Sequence, residues 1–293
     1  MARHVMECLG KARVVIEDGK VLEVGEPQVK YCPLFEKYRG IKELTPETVR
    51  ENMEYRIRTF GMCSQDRATE MDDFISFGVS EILSHSITKG DIDAAVIAAD
   101  GCGTAVMTDP RIIQGMGGRI SGLCETEPIP KVVAAVGAEN MLDPDTARMD
   151  AVAGADKAFA MGYKTVAVTT PFVSDAIAIR ERHGSDAVIV GVHTTGMSRE
   201  DAERAFETFD IITACASKNV RGVASERKDI LIAGTKVPII GITPKGKAMV
   251  TSKLDSLGMK PQPSWSGMVP PDPLVRRRCP RYASRTRCVP ERR

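Results

Sequence analysis

Thiols, a histidine and a lysine at the ends of apolar runs are the residues of this sequence best placed to do chemistry. Cys215 closes the run Asp210-Ile-Ile-Thr-Ala-Cys215 and is followed by Ala216, Ser217 and Lys218. A thiol at a strand end and helix start is favoured as thiolate by the helix N-terminus and by a nearby cation. Cys215 with Lys218 therefore predicts a nucleophile or a metal ligand. The competing expectation is a buried cysteine packed as a small hydrophobe. His193 follows Asp186-Ala-Val-Ile-Val-Gly-Val192. It is placed to act as a general base or a ligand, against the alternative of a hydrogen-bonded structural histidine.

A second group could bind rather than react. Asp100, Gly101, Cys102, Gly103 and Thr104 follow the run Asp93-Ala-Ala-Val-Ile-Ala-Ala. Glycines there let the backbone turn tightly and come close to a ligand. Thr194, Thr195 and Ser217, with exposed amides, suit a phosphate or carboxylate. Asp100, Gly101, Gly103, Thr104, Thr194, Thr195 and Ser217 are thus the cofactor-binding candidates. No G-x-x-x-x-G-K-[ST] motif occurs, and Val106 stands where G-x-G-x-x-G needs its third glycine, with Met107 after it. A nucleotide site is not supported by motif. Cys32, before a proline, and Cys63, in Phe-Gly-Met-Cys, resemble loops that hold iron or zinc. Cys32, Cys63 and Cys215 form the candidate metal set, as an iron–sulfur cluster or a zinc site, with Cys102 or His193 as other sources of a third ligand. Their meeting requires residues 31–45 to fold back along the helix that separates Cys32 from Cys63. His85 and His183 fall on predicted helices and are expected on the surface or in the core.

The elements that position these residues alternate regularly. Strands are predicted over 93–99, 164–169, 186–192, 210–215, 229–233 and 237–242. Helices are predicted between them, and the last runs from Thr243-Pro244 to Gly258. Continuous apolar runs mark strands buried on both faces, and alternation with helices implies βαβ units. The fold class is α/β, a Rossmann-like parallel sheet with flanking helices, whose strand exits share one edge. Ligands sit beyond that carboxyl edge. Upstream, residues 11–24 read as a β-hairpin turning at Asp18-Gly19. Thr45-Pro46-Glu47 starts a helix that ends near Thr59, and Gly61 suits its cap. A second helix is predicted over about 70–88, a short one after Asp109-Pro110, one from Pro130 to Gly137 and one over 145–162. Gln114–Gly122, with four glycines, reads as a loop. The organisation expected is a hairpin and helical segment over 1–92, a core over 93–258 and a tail over 259–293.

Composition bounds the class. The 293 residues are 43% hydrophobic, enough for a sizeable core. No run of 18 apolar residues and no signal-peptide pattern occurs, so a soluble cytoplasmic protein is expected, with no membrane partner. The net charge of +1 hides an asymmetry, because residues 276–293 carry eight Arg against one Glu. The rest is mildly acidic, which argues against nucleic acid. The Pro- and Arg-rich tail cannot bury a core and is expected to be disordered, or the product of a shifted reading frame. Eight cysteines without a CxxC pair make no secreted disulfide framework.

Four stretches resemble one family. They are Lys30-Tyr-Cys-Pro-Leu-Phe-Glu-Lys-Tyr-Arg-Gly-Ile-Lys-Glu-Leu-Thr-Pro, Phe60-Gly-Met-Cys63, Asp72-Asp-Phe-Ile-Ser-Phe-Gly-Val-Ser-Glu-Ile-Leu83 and Thr213-Ala-Cys-Ala-Ser-Lys218. Together they are similar to methanogenesis marker protein 8, of methane-producing archaea, over about residues 5–258. The resemblance implies a cytoplasmic role tied to methanogenesis. Such a role would be the assembly, modification or activation of methyl-coenzyme M reductase, or the handling of a methanogenic cofactor. It implies protein partners in that machinery and brings no catalytic residues. The family segment resembling Asp100-Gly-Cys-Gly has alanine at Cys102, which favours Cys32, Cys63 and Cys215 as functional thiols. The competing expectation is a non-catalytic scaffold that docks on a methanogenic complex.

Overall fold

A computed structural model of the chain describes residues 2–32, 35, 36, 40–72, 78–118, 122–234 and 237–262. Strand β1 (Arg3–Glu7) pairs antiparallel with β2 (Arg13–Glu17), and β2 with β3 (Lys20–Val24). Asp18 and Gly19 turn this hairpin at φ 44° and 75°, the left-handed pair a tight two-residue turn needs. Helix α1 (Pro46–Phe60) follows. The Thr45 side chain accepts from the Thr48 amide, and the Thr48 hydroxyl accepts from the Thr45 amide. Gly61 closes the helix in the left-handed conformation. Met6, Val14 and Ile16 of the sheet bury against Val49 and Met53 of α1.

Helix α2 (Val79–Lys89) starts later than the sequence suggests, because Gly78 is extended at φ −152°. The start predicted near residue 70 falls in part on residues 73–77, outside those described. Strand β4 (Ala94–Ala99) then enters the core. It turns at Asp100-Gly101-Cys102 straight into β5 (Gly103–Met107), antiparallel to it. Helix α3 (Pro110–Gly117) runs through the first glycines of the expected loop. Gly115 is required there, since a Cβ would lie 2.2 Å from the Thr69 carbonyl oxygen. Strand β6 (Leu123–Glu125) returns to pair with β1, so the sheet order is β3-β2-β1-β6. The N-terminal sheet therefore borrows its fourth strand from beyond residue 92.

Helices α4 (Pro130–Val136) and α5 (Ala151–Ala160) precede β7 (Val166–Thr170). Helix α5 starts six residues after the predicted 145, where the Asp150 carboxylate caps the Ala153 amide. Helix α6 (Val173–His183), β8 (Ala187–Gly191), α7 (Arg199–Thr208), β9 (Ile211–Thr213) and α8 (Lys218–Ser225) complete the regular alternation. The pairs β4–β7, β7–β8 and β8–β9 are parallel. The last two strands, β10 (Leu231–Ala233) and β11 (Ile239–Gly241), form an antiparallel hairpin, and β11 lies antiparallel to β9. Helix α9 (Pro244–Ser256) ends the described fold. The seven-stranded sheet has the order β10-β11-β9-β8-β7-β4-β5 and is mixed, parallel only in its centre.

One face of the sheet is covered by small residues of α5, α6 and α7, with Val220 and Val223 of α8. The other is covered by α2, α3, α4 and α9 through residues such as Ile82, Ile113, Val132 and Val250. Burial on both faces explains the unbroken apolar runs of β4, β7 and β8. Among the described residues, no helix is long and apolar enough to cross a membrane.

Candidate functional site at the carboxyl edge of the sheet

The exits of β4, β7, β8 and β9 share the carboxyl edge, as parallel pairing requires. Thr243 does not join them. Strand β11 runs the other way, which puts Thr243 at the opposite edge, where its hydroxyl donates to Asp210 at 2.6 Å. The N-terminal sheet is tied to the carboxyl edge at two exits. At the first, Asp100 accepts the Cys63 amide at 2.7 Å and the Arg67 Nε at 3.0 and 3.1 Å. Arg67 and Asp100 are both fully buried. The Arg67 guanidinium also donates to the carbonyls of Ala68 and Met116. Beside this network, the Thr126 hydroxyl oxygen accepts the Gly101 amide at 2.8 Å and lies 2.7 Å from His4 Nδ1.

The Asp100–Thr104 turn thus approaches closely, but what it approaches is the protein's own chain. A Cβ on Gly103 would lie 2.1 Å from the Ala147 carbonyl oxygen, and one on Gly101 would meet the Ile129 side chain. The Thr104 hydroxyl accepts the Asp150 amide at 3.0 Å. Cys102 is buried and donates to the carbonyls of Ala99 and Gly103, and burial pushes its thiol up to about 12.

The second tie is made where β8 ends. His193 sits in the left-handed region at φ 52°, rare for a residue with a side chain. Its Nε2 lies 3.4 Å from the Glu7 carboxylate at the end of β1. The same carboxylate lies 3.9 Å from the Nζ of Lys11, a lysine that is buried. Gly122 backs the ring, and a Cβ there would fall 2.7 Å from His193 Cε1. Thr194 donates to the Thr213 carbonyl at 2.6 Å and so lashes the β8 exit to the β9 exit. Thr195 is half-buried beside it.

At the β9 exit, Ser217 caps α8 through the Val220 amide. Cys215 is half-buried. Its thiol is pushed up by burial, pulled down by the Thr213 hydroxyl, raised again by Cys32 and lowered by Arg221. Lys218 opens α8 as an exposed residue, and Arg221 is a cation that acts on Cys215. The Arg221 guanidinium donates to the carbonyls of Ala214 and Cys215 at 3.0 and 2.8 Å. Cys32 lies within electrostatic reach of both Cys215 and Arg221.

The three-cysteine metal set is not assembled. Lys30 accepts the Leu44 amide at 2.7 Å, so the segment bearing Cys32 closes at the start of α1. Cys63 lies past its other end, and fifteen helical residues span about 22 Å. Cys63 is instead buried against Met6, sulfur to sulfur 4.0 Å, and burial raises its thiol well above the usual range. Among the described residues no three His, Cys, Asp or Glu side chains come together as a metal-binding group.

The family described as an uncharacterized protein conserved in archaea, DUF2099, matches residues 4–255. This chain belongs to the DUF2099 family. An uncharacterized protein of Methanocaldococcus jannaschii is 42% identical over 262 residues, covering 88% of this chain and 92% of its own. A chain of the F420-reducing [NiFe] hydrogenase complex of Methanosarcina barkeri overlaps 68% of this chain and 77% of its own. At 14% identity and a TM-score of 0.33, that overlap carries no argument.

In this DUF2099 chain the sequence points to Cys215 and His193 but not to their partners. Glu7 and Lys11 stand far from His193 along the chain and carry no motif. Arg221 carries a weak signal: it lies one helical turn beyond Lys218, on the turn that follows Cys215. Arg67 gives no sign of burial, because only the fold brings it to Asp100.

Proposed function

We propose that this DUF2099 protein is a cytoplasmic, methanogenesis-associated maturation, modification or activation factor that works by thiol chemistry at the carboxyl edge of its sheet. Its target would be methyl-coenzyme M reductase or a methanogenic cofactor. The tie to methanogenesis is supported by the resemblance to methanogenesis marker protein 8 and by the relative in Methanocaldococcus jannaschii. The observation that carries the chemical part is the convergence at two adjacent exits. Cys215 with Arg221 and Cys32 stands at one, and His193 with Glu7 at the other, joined by the Thr194–Thr213 bond. Loops at strand exits carry function because a rigid sheet positions them. Lysine 11, buried beside Glu7, supplies a charge that a surface-docking scaffold has no need to bury.

The test is made in a methanogen whose chromosomal copy is replaced by Cys215→Ala or His193→Ala, each carrying an affinity tag. Loss of reductase activation or cofactor supply, with the wild-type set of co-purifying proteins retained, is the expected result. Full function in both variants, with the same co-purifying proteins, would establish the scaffold instead.

A further inference from the structure

Two thiols from distant parts of the chain come to one cation. The Gln28 and Val29 amides donate to the Gly10 carbonyl at 2.8 and 2.9 Å, and the Lys30 carbonyl accepts the Leu44 amide at 2.7 Å. Residues 28–30 are thereby pinned just past the end of β1, where the Glu7 carboxylate faces His193. Cys32 follows Lys30 by two residues, so it stays within about 7 Å of that pinned position. On the other side of the seam, Thr194 lashes the β8 exit to the Thr213 carbonyl at 2.6 Å. Cys215 follows Thr213 by two residues, and its Sγ lies 3.9 Å from the Thr213 hydroxyl.

Arg221 is held at the same exit by backbone carbonyls. Its Nε donates to Ala214 at 3.2 Å, and its Nη2 donates to Ala214 and Cys215 at 3.0 and 2.8 Å. Its charge acts on Cys215 and on Cys32, and Cys32 acts on Cys215 in turn. The two thiols and the guanidinium therefore share one space at the seam of the two sheets. Both thiols are free and half-buried, whereas Cys8, Cys63 and Cys102 are shut in the core. A cation beside a thiol favours the thiolate, which is the form that attacks a disulfide. Such exchange needs two thiols and no third ligand.

We propose that Cys32 and Cys215 are a redox dithiol that reduces a disulfide substrate, with Cys215 as the attacking thiol and Cys32 as the resolving one. The inference rests on the thiol reading of this edge and names its substrate class. Cys215 attacks because Arg221 is anchored on its own carbonyl. Its sulfur bonds to one half of the substrate, the substrate S–S bond breaks, and the other half leaves as a thiolate that takes up the proton Cys215 gave. The Cys32 thiolate then attacks the Cys215 sulfur. The mixed disulfide breaks, and the second half leaves with the proton Cys32 gave. The substrate is reduced by two electrons, and the two protein thiols are oxidised to one Cys32–Cys215 disulfide. A second dithiol restores the pair by the reverse exchange.

The test uses the purified full chain and no methanogenic assay, so its failure is distinct from failure of the broader function. Reduced protein is mixed anaerobically with glutathione disulfide as the probe, quenched by alkylation and read by peptide mass spectrometry. Trypsin releases Cys32 in residues 31–37 and Cys215 in residues 205–218, one cysteine in each. Wild type is expected to give these two peptides joined by a disulfide. The link should form at least roughly tenfold faster in native protein than in the urea-unfolded chain, because only the fold holds the thiols together. Cys32→Ser is expected to stop one step earlier, with glutathione retained on Cys215. Cys32 and Cys215 both reduced, or both carrying glutathione with no link between them, would overturn the proposal, as would a link that forms no faster in native protein. An unmodified Cys215 in Cys32→Ser would overturn its role as the attacking thiol. The wild-type link is read without any substitution, so it decides even where the variant fails to fold.

Discussion

Replacing Asp100 by Asn should unfold much of this protein's stability margin. The Asp100 carboxylate takes three hydrogen bonds, from the Cys63 amide and twice from Arg67 Nε. Both side chains have no solvent exposure. Asn keeps the volume and one acceptor for the Cys63 amide. It leaves the Arg67 cation buried without its counter-charge. Breaking a buried pair by removing one partner costs about 3–5 kcal/mol. A domain of this kind holds about 5–15 kcal/mol in all, so roughly a fifth or more of its stability is at stake. At about 2–4 °C per kcal/mol, the melting temperature should fall by roughly 10 °C. Urea unfolding followed by circular dichroism, alongside a thermal scan, measures it. The double variant Asp100→Leu with Arg67→Met removes both charges and should recover much of the loss. A cost for Asp100→Asn below about 1 kcal/mol, or a double variant no better than the single one, would refute the reasoning.

The remaining predictions address the site and its seam. Arg221→Met should slow alkylation of Cys215 at neutral pH, because the guanidinium lowers a thiol that burial has raised; an unchanged rate would show that Arg221 only braces the carbonyls. His4 is buried and its burial holds its pKa below the ordinary 6.5. The folded state therefore binds fewer protons, and stability should fall as pH drops below about 6.5, with that acid limb flattened in His4→Gln; identical pH–stability curves would contradict this. His193→Gly should leave stability unchanged or raise it by about 1 kcal/mol, since glycine takes φ 52° without strain, while abolishing function. A large loss of stability would mean that the ring is structural. Iron or zinc content of anaerobically purified protein should be the same in Cys63→Ser as in wild type, by elemental analysis; equal loss in Cys32→Ser, Cys63→Ser and Cys215→Ser would reunite the three thiols.

How far the fold was legible depends on burial. Strands β4, β7 and β8 are covered on both faces, so their apolar runs stand out. Strand β5 was lost because Gly101 and Gly103 look like a ligand loop, and nothing local shows that they reverse the chain into Thr-Ala-Val-Met. The three-residue β6 and the N-terminal β1 have no periodicity long enough to read, and their pairing joins residues about 120 apart. The direction of β11 is a tertiary fact: the connection from β10 is too short for a crossover helix, so the two strands form a hairpin. Strand-end logic places Cys215 and His193 at adjacent exits of the sheet. It points to Lys218 as the cation because Lys218 is near in sequence, and gives no sign that α8 turns Arg221 onto the same exit. It grouped Cys63 with Cys32 because thiols invite a metal, whereas the closure of Lys30 onto Leu44 fixes them at opposite ends of α1.

The strain in the backbone is informative about which reading of the molecule to prefer. Lys11, Cys63 and His193 are non-glycine residues at positive φ, and all three lie where the N-terminal sheet meets the carboxyl edge. Each such residue costs on the order of 1–3 kcal/mol and persists only where its surroundings fix it. Cys63 is fixed by Asp100 at its amide and by the Gly19 amide at its carbonyl. Its side chain is shut in the core, so its strain serves assembly. His193 differs. Its ring keeps partial exposure, its partner Glu7 comes from the other sheet, and a Cβ on Gly122 would strike it. The buried Asp100–Arg67 pair lies at the β4 exit, with β7 between it and the β8 exit of His193. The acid–base role expected of His193 accounts for a strained, half-exposed histidine whose partner lies over 180 residues away, because such a ring must be aimed before a ligand arrives.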